Sequence, residues 1–285
     1  MTLTVAPAHA CPWPTHAVFD PVRRALQVAL NRGRCPEPDE LNQVAESLGV
    51  RMRTASGQAV RFIPAGETGR GYELSVFETG RVATREGNWH DLFNALAWMS
   101  FPRTKAALNA LHAAAIPGEA GRRGRMRDLL TLFDEGGAII ALRDASLEVL
   151  VRGFDWRELF WERRADLLRD MRILVAGHAV LEMARQPWPG ITCKVLFMPV
   201  PEAEVMEGDA LTRMADAYAA NWLRERAALA TPADLAPFPI FGYPGWLAQS
   251  AQAAFYDDTR YFRPFRPLRR AIPNAGTRTA GPALA

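Results

Sequence analysis

Cysteine is scarce in this chain. Its 285 residues include three cysteines, Cys11, Cys35 and Cys193, which are odd in number and far apart in the sequence. This usage excludes a disulfide framework, and no paired CxxC motif is present to hold zinc. We therefore expect reduced thiols, which are typical of a cytoplasmic protein.

Long apolar runs are also missing. No segment reaches the roughly 18 uninterrupted apolar residues that a membrane-spanning helix requires. The N-terminal residues lack the basic and apolar regions of a secretory signal peptide. Because 49% of the residues are hydrophobic and only 23% are charged, the chain can bury a sizeable core. The sequence predicts a folded protein without a membrane partner.

The excess of positive charge is small. Lysine and arginine total 34 against 31 acidic residues, which gives a net charge of +3. The lysines are only Lys105 and Lys194, and this preference for arginine, with abundant alanine, is typical of a GC-rich bacterial genome. The run GRRGRMR at residues 121–127 is typical of a solvated connection. A nucleic-acid partner is therefore not expected.

Sequence motifs of known mechanism are absent. The chain has no phosphate-binding P-loop, no dinucleotide-binding glycine pattern and no nucleophile elbow. The sequence alone therefore names neither a reaction nor a cofactor, and it does not indicate an oligomeric state.

Hydrophobic periodicity predicts more helices than strands. Helices are expected over residues 20–30, 38–49, 88–115 with a break at Pro102, 155–170, 178–186 and 209–228. Strands are expected over residues 60–64, 72–77, 81–83, 138–142, 172–176 and 191–200, the first three as a small antiparallel sheet. Because helices and strands do not alternate regularly, an α+β fold that is mostly helical is favoured. We expect one globular domain over residues 18–268, an extended arm at 1–17 and a flexible tail at 269–285.

Residues 88–109 concentrate polar groups of different chemistry among apolar residues. Helical periodicity places His90 and Asn94 on one face of the first helix, and Lys105 and Asn109 on one face of the second. Two facing polar pairs could form the wall of a pocket. In the functional interpretation, His90 is a general base and Asn94 orients a substrate or a water molecule.

The structural interpretation of the same segment starts from its helix N-terminus. There Asn88 or Asp91 would cap the free backbone amides, and His90 would be an ordinary half-buried residue. His90 and Asp91 are adjacent and point about 100° apart on a helix, so they cannot form a dyad with each other. Any partner of His90 must come from another segment.

Two further segments carry candidate groups. His178 and Glu182 are spaced i and i+4, so they could share a proton or a divalent ion, or form a hydrogen bond that only locks the helix. Asp134 and Glu135 end an apolar run before a glycine pair, which suits either acid–base chemistry or a turn. The aromatic and charged residues 255–264 could seal the tail onto the body or line a cleft.

Several ordered segments together resemble a bacterial protein family of unknown function, DUF3025. The resemblance covers roughly residues 18–268. It rests on the segments NWHDLFNALAW, FPRTKAALN, RDLLTLFDE, GHAVLE followed by GITCK, FGYPGW and FYDDTRYFRP. It implies one folded unit, but no activity, substrate or cofactor. It also implies that polar residues of these segments form one site: His90, Asp91, Asn94, Lys105, Asn109, Asp134, His178 and Glu182.

Two functions fit these observations best, and a third, sequence-specific nucleic-acid binding through residues 121–127, is the least supported. The first is a cytoplasmic hydrolase or phosphoesterase-like enzyme with His90, Asp91, Asn94, His178 and Glu182 as catalytic residues. Lys105, Asn109 and Asp134 would then bind a small anionic ligand, with Lys105 as the attracting charge. The alternative is a non-enzymatic binding or scaffold protein whose polar segments are buried hydrogen-bond networks. A solvent-reachable cluster favours the first function, and a fully bonded core favours the second.

Overall fold

A four-stranded mixed sheet organises the fold. The computed structural model describes residues 13–31, 33–66, 71–118, 124–201 and 207–265. The sheet consists of β3 (Gly137–Leu142), β4 (Met171–Val175), β5 (Cys193–Pro199) and β6 (Ala236–Phe238), in the order β4-β3-β5-β6. Strand β3 is parallel to β5 and antiparallel to β4, and β6 is antiparallel to β5. A second sheet pairs β1 (Arg61–Pro64) with β2 (Arg81–Thr84).

Helices surround the sheets. They are α1 (Arg23–Ala29), α2 (Pro38–Ser47), α3 (Tyr72–Thr79), α4 (Trp89–Ser100), α5 (Pro102–Ala115), α6 (Arg125–Gly136), α7 (Ala145–Gly153), α8 (Arg164–Asp170), α9 (His178–Met183) and α10 (Gly208–Arg226). Short 3₁₀ segments cover Ala17–Val22, Ile116–Gly118, Pro232–Asp234, Ile240–Gly242, Ala248–Ala251 and Ala253–Asp257. The mostly helical α+β class predicted from the sequence is confirmed. No helix in the described ranges is both long and apolar enough to cross a bilayer.

Strand β3 divides the hydrophobic core, because alternate residues of a strand point to opposite sides of its sheet. All six of its residues are buried. Ala138 and Ile140 belong to the hydrophobic cluster that includes buried residues of α1, α2 and α4, whereas Ile139 and Ala141 belong to the cluster that includes buried residues of α5, α6 and α10. The continuous apolar run of β3 is explained by this coverage on both faces.

The break between α4 and α5 lies where the chain passes from the hydrophobic core on one side of β3 to the core on its other side. Phe101 leaves helical geometry with φ −126° and ψ 53°, and Pro102 begins α5. Asp216 of α10 accepts hydrogen bonds from the backbone amides of Arg103 and Thr104. A buried carboxylate on another helix thus caps α5, which satisfies amides that its own sequence leaves open.

The first sheet differs from the prediction in two ways. Residues 72–77, expected as a strand, belong to helix α3, and β1 and β2 run parallel rather than as an antiparallel hairpin. Parallel neighbours need a crossover connection, which α3 supplies. Gly80 ends α3 with a φ of 73°, and a Cβ there would lie 2.1 Å from the Ala59 carbonyl oxygen. This close approach requires glycine.

Two other helices also differ from the prediction, one in where it starts and one in its continuity. The segment expected from residue 20 begins as the 3₁₀ turn Ala17–Val22, whose cap is His16 rather than Asp20. The helix expected over 155–170 contains a π-helical segment, Glu158–Glu162, and restarts as α8 after Arg163. Arg163 binds Asp144 at 2.8 Å, so this interruption is fixed to α7.

The predicted domain boundaries stay predictions. Residues 1–12 of the expected arm and all of the expected tail lie outside the described residues. Within the described part of the arm, Trp13 packs edge-on against Phe19, and His16 is buried with its Nε2 atom 2.8 Å from the Trp246 carbonyl oxygen. This part of the arm therefore belongs to the packed body.

Candidate functional site

Two histidines from separate helices meet at the centre of the candidate site. His90 lies in the first turn of α4 and His178 begins α9, and their Nε2 atoms are 3.0 Å apart. Glu182, one turn after His178, contacts the other side of the His90 ring, with Oε2 3.1 Å from Nδ1. The three side chains thus form a continuous chain in the order Glu182, His90, His178.

The position of one proton in this chain follows from the hydrogen-bond partners. Nδ1 of His178 lies 2.7 Å from the backbone carbonyl oxygen of Asp134, which can only accept, so this nitrogen carries hydrogen. A neutral His178 then has a bare Nε2 atom. The 3.0 Å contact requires a hydrogen on Nε2 of His90, because two bare nitrogens would repel each other.

Burial keeps His178 neutral. Its side chain is only 7% exposed, and this burial lowers its pKa to about 4, with the charges of Lys105 and His90 adding to the effect and Asp134 opposing it. His90 and Glu182 are each 36% exposed. Proton exchange with solvent or a ligand is therefore open to His90, whereas His178 is the inner partner.

A glycine contact sets the position of His178. A Cβ on Gly177 would lie 2.5 Å from the Gly137 amide nitrogen and 2.6 Å from the Glu135 carbonyl oxygen. The amide of Gly177 also donates a 2.7 Å hydrogen bond to the Gly137 carbonyl oxygen. Gly177 thus lets the start of α9 approach the end of α6 closely, where the Asp134 carbonyl lies.

Asp134 joins this chain to a buried lysine. Its Oδ1 atom is 2.5 Å from Nζ of Lys105, and their side chains are 21% and 8% exposed. Burial raises the pKa of Asp134, but the charge and hydrogen bond of Lys105, together with the nearby His178 and His112, outweigh burial and hold the pKa below its usual value. Because Asp134 already balances its charge, Lys105 is not the free cation that the sequence predicted for an anionic ligand.

Glu73 adjoins the candidate site, which its sequence pattern did not indicate. Asn109 of α5 donates hydrogen bonds to the Glu73 carbonyl oxygen at 2.9 Å and to its Oε2 atom at 2.8 Å. Burial raises the pKa of the Glu73 carboxyl, and the nearby charge of Asp134 adds to this. The expected strand at 72–77 concealed Glu73, because a strand directs alternate side chains to opposite faces.

Several buried polar atoms around these groups lack a hydrogen-bond partner. Asn94 donates to the Tyr72 hydroxyl at 3.1 Å, but its Oδ1 atom is buried and unpartnered. The same holds for Nε1 of Trp98 and Oδ1 of Asn109. Such atoms are uncommon in folded proteins because each costs free energy when it is left without a partner. The polar network is thus incomplete on its own.

Asp91 lies outside this arrangement, contrary to its predicted place in the site. Its carboxylate accepts hydrogen bonds from the side chain of Arg85 at 2.8 and 2.9 Å and from the Arg85 amide at 2.7 Å. The Asn88 side chain accepts from the Asp91 amide, so Asn88 caps α4. The angle of about 100° between neighbouring helix residues directs Asp91 away from the partners of His90.

No metal centre is evident in the described ranges, where no three His, Cys, Asp or Glu side chains are placed to hold one ion. A cleft of about 350 Å³ lies elsewhere, between α1, α5 and α10, and contains none of the predicted site residues. The carboxylate at this cleft, Asp216, is already used to cap α5. The histidine pair and its surroundings are the candidate site because of their hydrogen-bonded side chains.

Comparison with family models gives one match, over residues 60–266, to a family described as a protein of unknown function. The chain belongs to the DUF3025 family. The matched range includes every segment on which the resemblance was based, although it begins later than residue 18. Comparisons of this DUF3025 protein with curated proteins and with solved structures give no match.

A pH dependence of stability follows from the lowered pKa of His178. Unfolded histidine binds a proton near pH 6.5, but folded His178 does so only near pH 4. As the pH falls from 6.5 towards 4, the unfolded state takes up the proton first. The contribution of His178 to the free energy of unfolding is therefore present above pH 6.5 and is lost as the pH falls below it. Between about pH 7.5 and 4.5, the loss is about 2 to 3 kcal/mol.

Urea unfolding at both pH values measures this loss, with His178→Gln as the control that cannot titrate. The wild-type protein should lose more stability than the variant by that amount. Equal losses would contradict the assignment of a neutral, buried His178.

Proposed function

We propose that this DUF3025 protein is a hydrolase that uses His90 as its general base and acts on a small anionic ester, with a phosphoester as the first candidate. The observation that carries this proposal is the chain from Glu182 through His90 to His178, with contacts of 3.1 and 3.0 Å. A base whose orientation is fixed by a carboxylate is a recurring arrangement in hydrolytic sites.

Each of the three side chains has a separate role. Glu182 orients the His90 ring by accepting a hydrogen bond from its Nδ1–H group, and the buried His178 accepts one from its Nε2–H group, so a His90 that makes both contacts is an imidazolium. Transfer of the Nε2 proton to a leaving group leaves a neutral His90 with hydrogen on Nδ1, whose bare Nε2 atom turns away from His178. This Nε2 atom then accepts a proton from the attacking water at the exposed side, which restores the starting state.

Water is the proposed nucleophile. Burial raises the pKa of Cys35, although the nearby charge of Arg185 opposes this, and burial also raises the pKa of Cys193. Neither thiol therefore has the activated character of a nucleophilic cysteine. Asn94 and Asn109, whose Oδ1 atoms are unpartnered, are proposed to orient the water and the substrate.

The alternative is a scaffold protein in which these groups only hold the fold together. The buried pair of Lys105 and Asp134 and the bonds from Asn109 to Glu73 are consistent with it, since they connect α3, α5 and α6. In a purely structural network, each buried polar atom would be expected to have a hydrogen-bond partner. The unpartnered atoms of Asn94, Trp98 and Asn109 favour a ligand site instead.

The proposal is tested by screening the purified protein for release of p-nitrophenol from p-nitrophenyl phosphate, bis-p-nitrophenyl phosphate and p-nitrophenyl acetate. Turnover by the wild type that is lost in His90→Ala supports the proposal. Turnover that persists in the variant would come from another protein or another site. A cytoplasmic location and a bacterial origin belong to the same proposal, supported by the few cysteines and by the preference for arginine over lysine.

A further inference from the structure

Arg185, shortly after the end of α9, lies against two indole rings. Its guanidinium carbon lies 3.8 Å from the ring centre of Trp89 and 5.5 Å from that of Trp13. These two indole rings meet edge-on, at 82° and 5.6 Å between centres, and form a corner that holds the guanidinium. Cation–π contacts of this kind fix the plane of an arginine without neutralising its charge.

No described residue accepts a hydrogen bond from Arg185 or forms an ion pair with it. Its Nε atom is buried and unpartnered. The neighbouring carboxylates are already used, since Asp91 binds Arg85 and Glu182 binds His90. Arg185 is therefore a positive charge held in place with hydrogen-bond donors to spare, and a guanidinium fork of this kind suits an oxyanion.

Arg185 and its support come from the two chain segments that carry the reacting groups. It follows Glu182 by three residues, and its amide donates to the Glu182 carbonyl oxygen, so the helical turn continues to this point. Residues i and i+3 are neighbours on one helix face. Trp89, which supports the guanidinium, directly precedes His90. The same two elements, α4 and the end of α9, thus carry the acid–base pair and the arginine.

The other cations of the site are balanced. Lys105 is paired with Asp134, and His90 contacts Glu182. Glu73 adds a further acidic group near Lys105. An anionic substrate would gain little from these groups, because their charges cancel. Of these three cationic side chains, Arg185 is the one with no ion-pair partner among the described residues.

We propose that Arg185 is the anion-binding residue of the site and that it holds the phosphate group of the substrate next to His90. This inference rests on the proposed hydrolase for its substrate, but the binding of phosphate itself can be tested without any turnover. The Trp13–Trp89 corner presents the guanidinium edge, and phosphate can accept two parallel hydrogen bonds from it.

Isothermal titration of the full-length protein with inorganic phosphate at low ionic strength tests the inference. Removing a charge-assisted contact in Arg185→Met, which keeps the apolar contact with the indoles, is expected to weaken phosphate binding about 10- to 100-fold. Arg185→Lys keeps the charge but not the guanidinium fork, so its affinity for phosphate should lie between those of the wild type and Arg185→Met. If circular dichroism shows that Arg185→Met is unfolded, the phosphate affinity of Arg185→Lys alone tests the inference.

The matched control is Arg164→Met. Arg164 also lies over an indole, 5.9 Å from the Trp161 ring centre, but it donates to the Ser250 carbonyl oxygen at 2.8 Å. This variant should bind phosphate as the wild type does. Wild-type protein that does not bind phosphate, or unchanged binding by the Arg185 variants, would overturn the inference.

His90→Ala separates this inference from the proposed function. It should still bind phosphate, because Arg185 and its platform remain. Phosphate binding through Arg185 without hydrolysis by the wild type would reject the hydrolase and keep the anion site. Hydrolysis that is unaffected in the Arg185 variants would reject the anion site and keep the hydrolase.

Discussion

Replacing His90 with alanine is expected to lower kcat/KM for the best substrate of the screen by about 10²- to 10⁴-fold, the usual contribution of a general acid–base residue. The reason is that His90 is the histidine of the Glu182–His90–His178 chain that reaches solvent, with 36% of its side chain exposed. His178, at 7%, is too deeply buried to replace it. Steady-state kinetics measures the loss.

A structural role of His90 would have a different signature. A half-exposed side chain contributes little to the core, so the free energy of unfolding of His90→Ala should change by less than about 2 kcal/mol. Added imidazole should restore part of the activity by occupying the space left by the ring. If activity falls only in proportion to the folded fraction and imidazole does not restore it, His90 holds the fold and is not the base.

Removing Asp134 is expected to destabilise the protein by about 3 to 5 kcal/mol, the usual effect of breaking one side of a buried ion pair. Asp134→Ala leaves the Lys105 ammonium buried without its ion-pair partner, beside the Trp98 ring at 5.7 Å and near the Glu73 carboxyl, whose pKa burial raises. It also removes the carboxylate whose charge acts on His178. Urea unfolding at neutral pH measures the loss.

The matched control is an exposed pair. Arg61 and Glu46 are 2.7 Å apart, but their side chains are 57% and 63% exposed. Glu46→Ala should therefore cost less than about 1 kcal/mol. The double variant Lys105→Met with Asp134→Leu should recover much of the stability lost in Asp134→Ala. Similar losses for the buried and the exposed pair would contradict the desolvated environment of Lys105.

Local periodicity predicted much of the site. The helical spacing of His90 and Asn94, and of Lys105 and Asn109, places each pair on one face of α4 or α5. The proline that begins α5 was also visible in the sequence, because proline is tolerated in the first turn of a helix. These features depend on residues close together in the chain, which is what a periodic pattern reports.

The partners of these residues could not be predicted in the same way. The i,i+4 spacing of His178 and Glu182 suggested that they bind each other or one shared ion. In the structure they contact opposite sides of His90, which is 88 and 92 residues away in the chain. Contacts of this sequence separation depend on the packing of α4 against α9, and no local pattern encodes them.

The incorrect strand at residues 72–77 had the largest consequence for the site. The apolar residues of YELSVF fit a strand as well as a short helix, since a short run of this kind does not distinguish the two periods. Only the parallel pairing of β1 with β2 requires a helical crossover there. Tyr72 and Glu73 therefore lie at the candidate site as residues of a helix, although their segment was predicted as a strand.

The positions of the protons on the two histidine rings test the central claim most directly. Long-range ¹H–¹⁵N correlation spectra of the histidine rings, assigned with His90→Gln and His178→Gln, report the protonation of each ring nitrogen at neutral pH. The account predicts a neutral His178 with hydrogen on Nδ1 and a bare Nε2, and hydrogen on Nε2 of His90. A His178 with hydrogen on Nε2, or a His90 whose Nε2 is bare, would contradict the shared-proton pair and the acid–base site built on it.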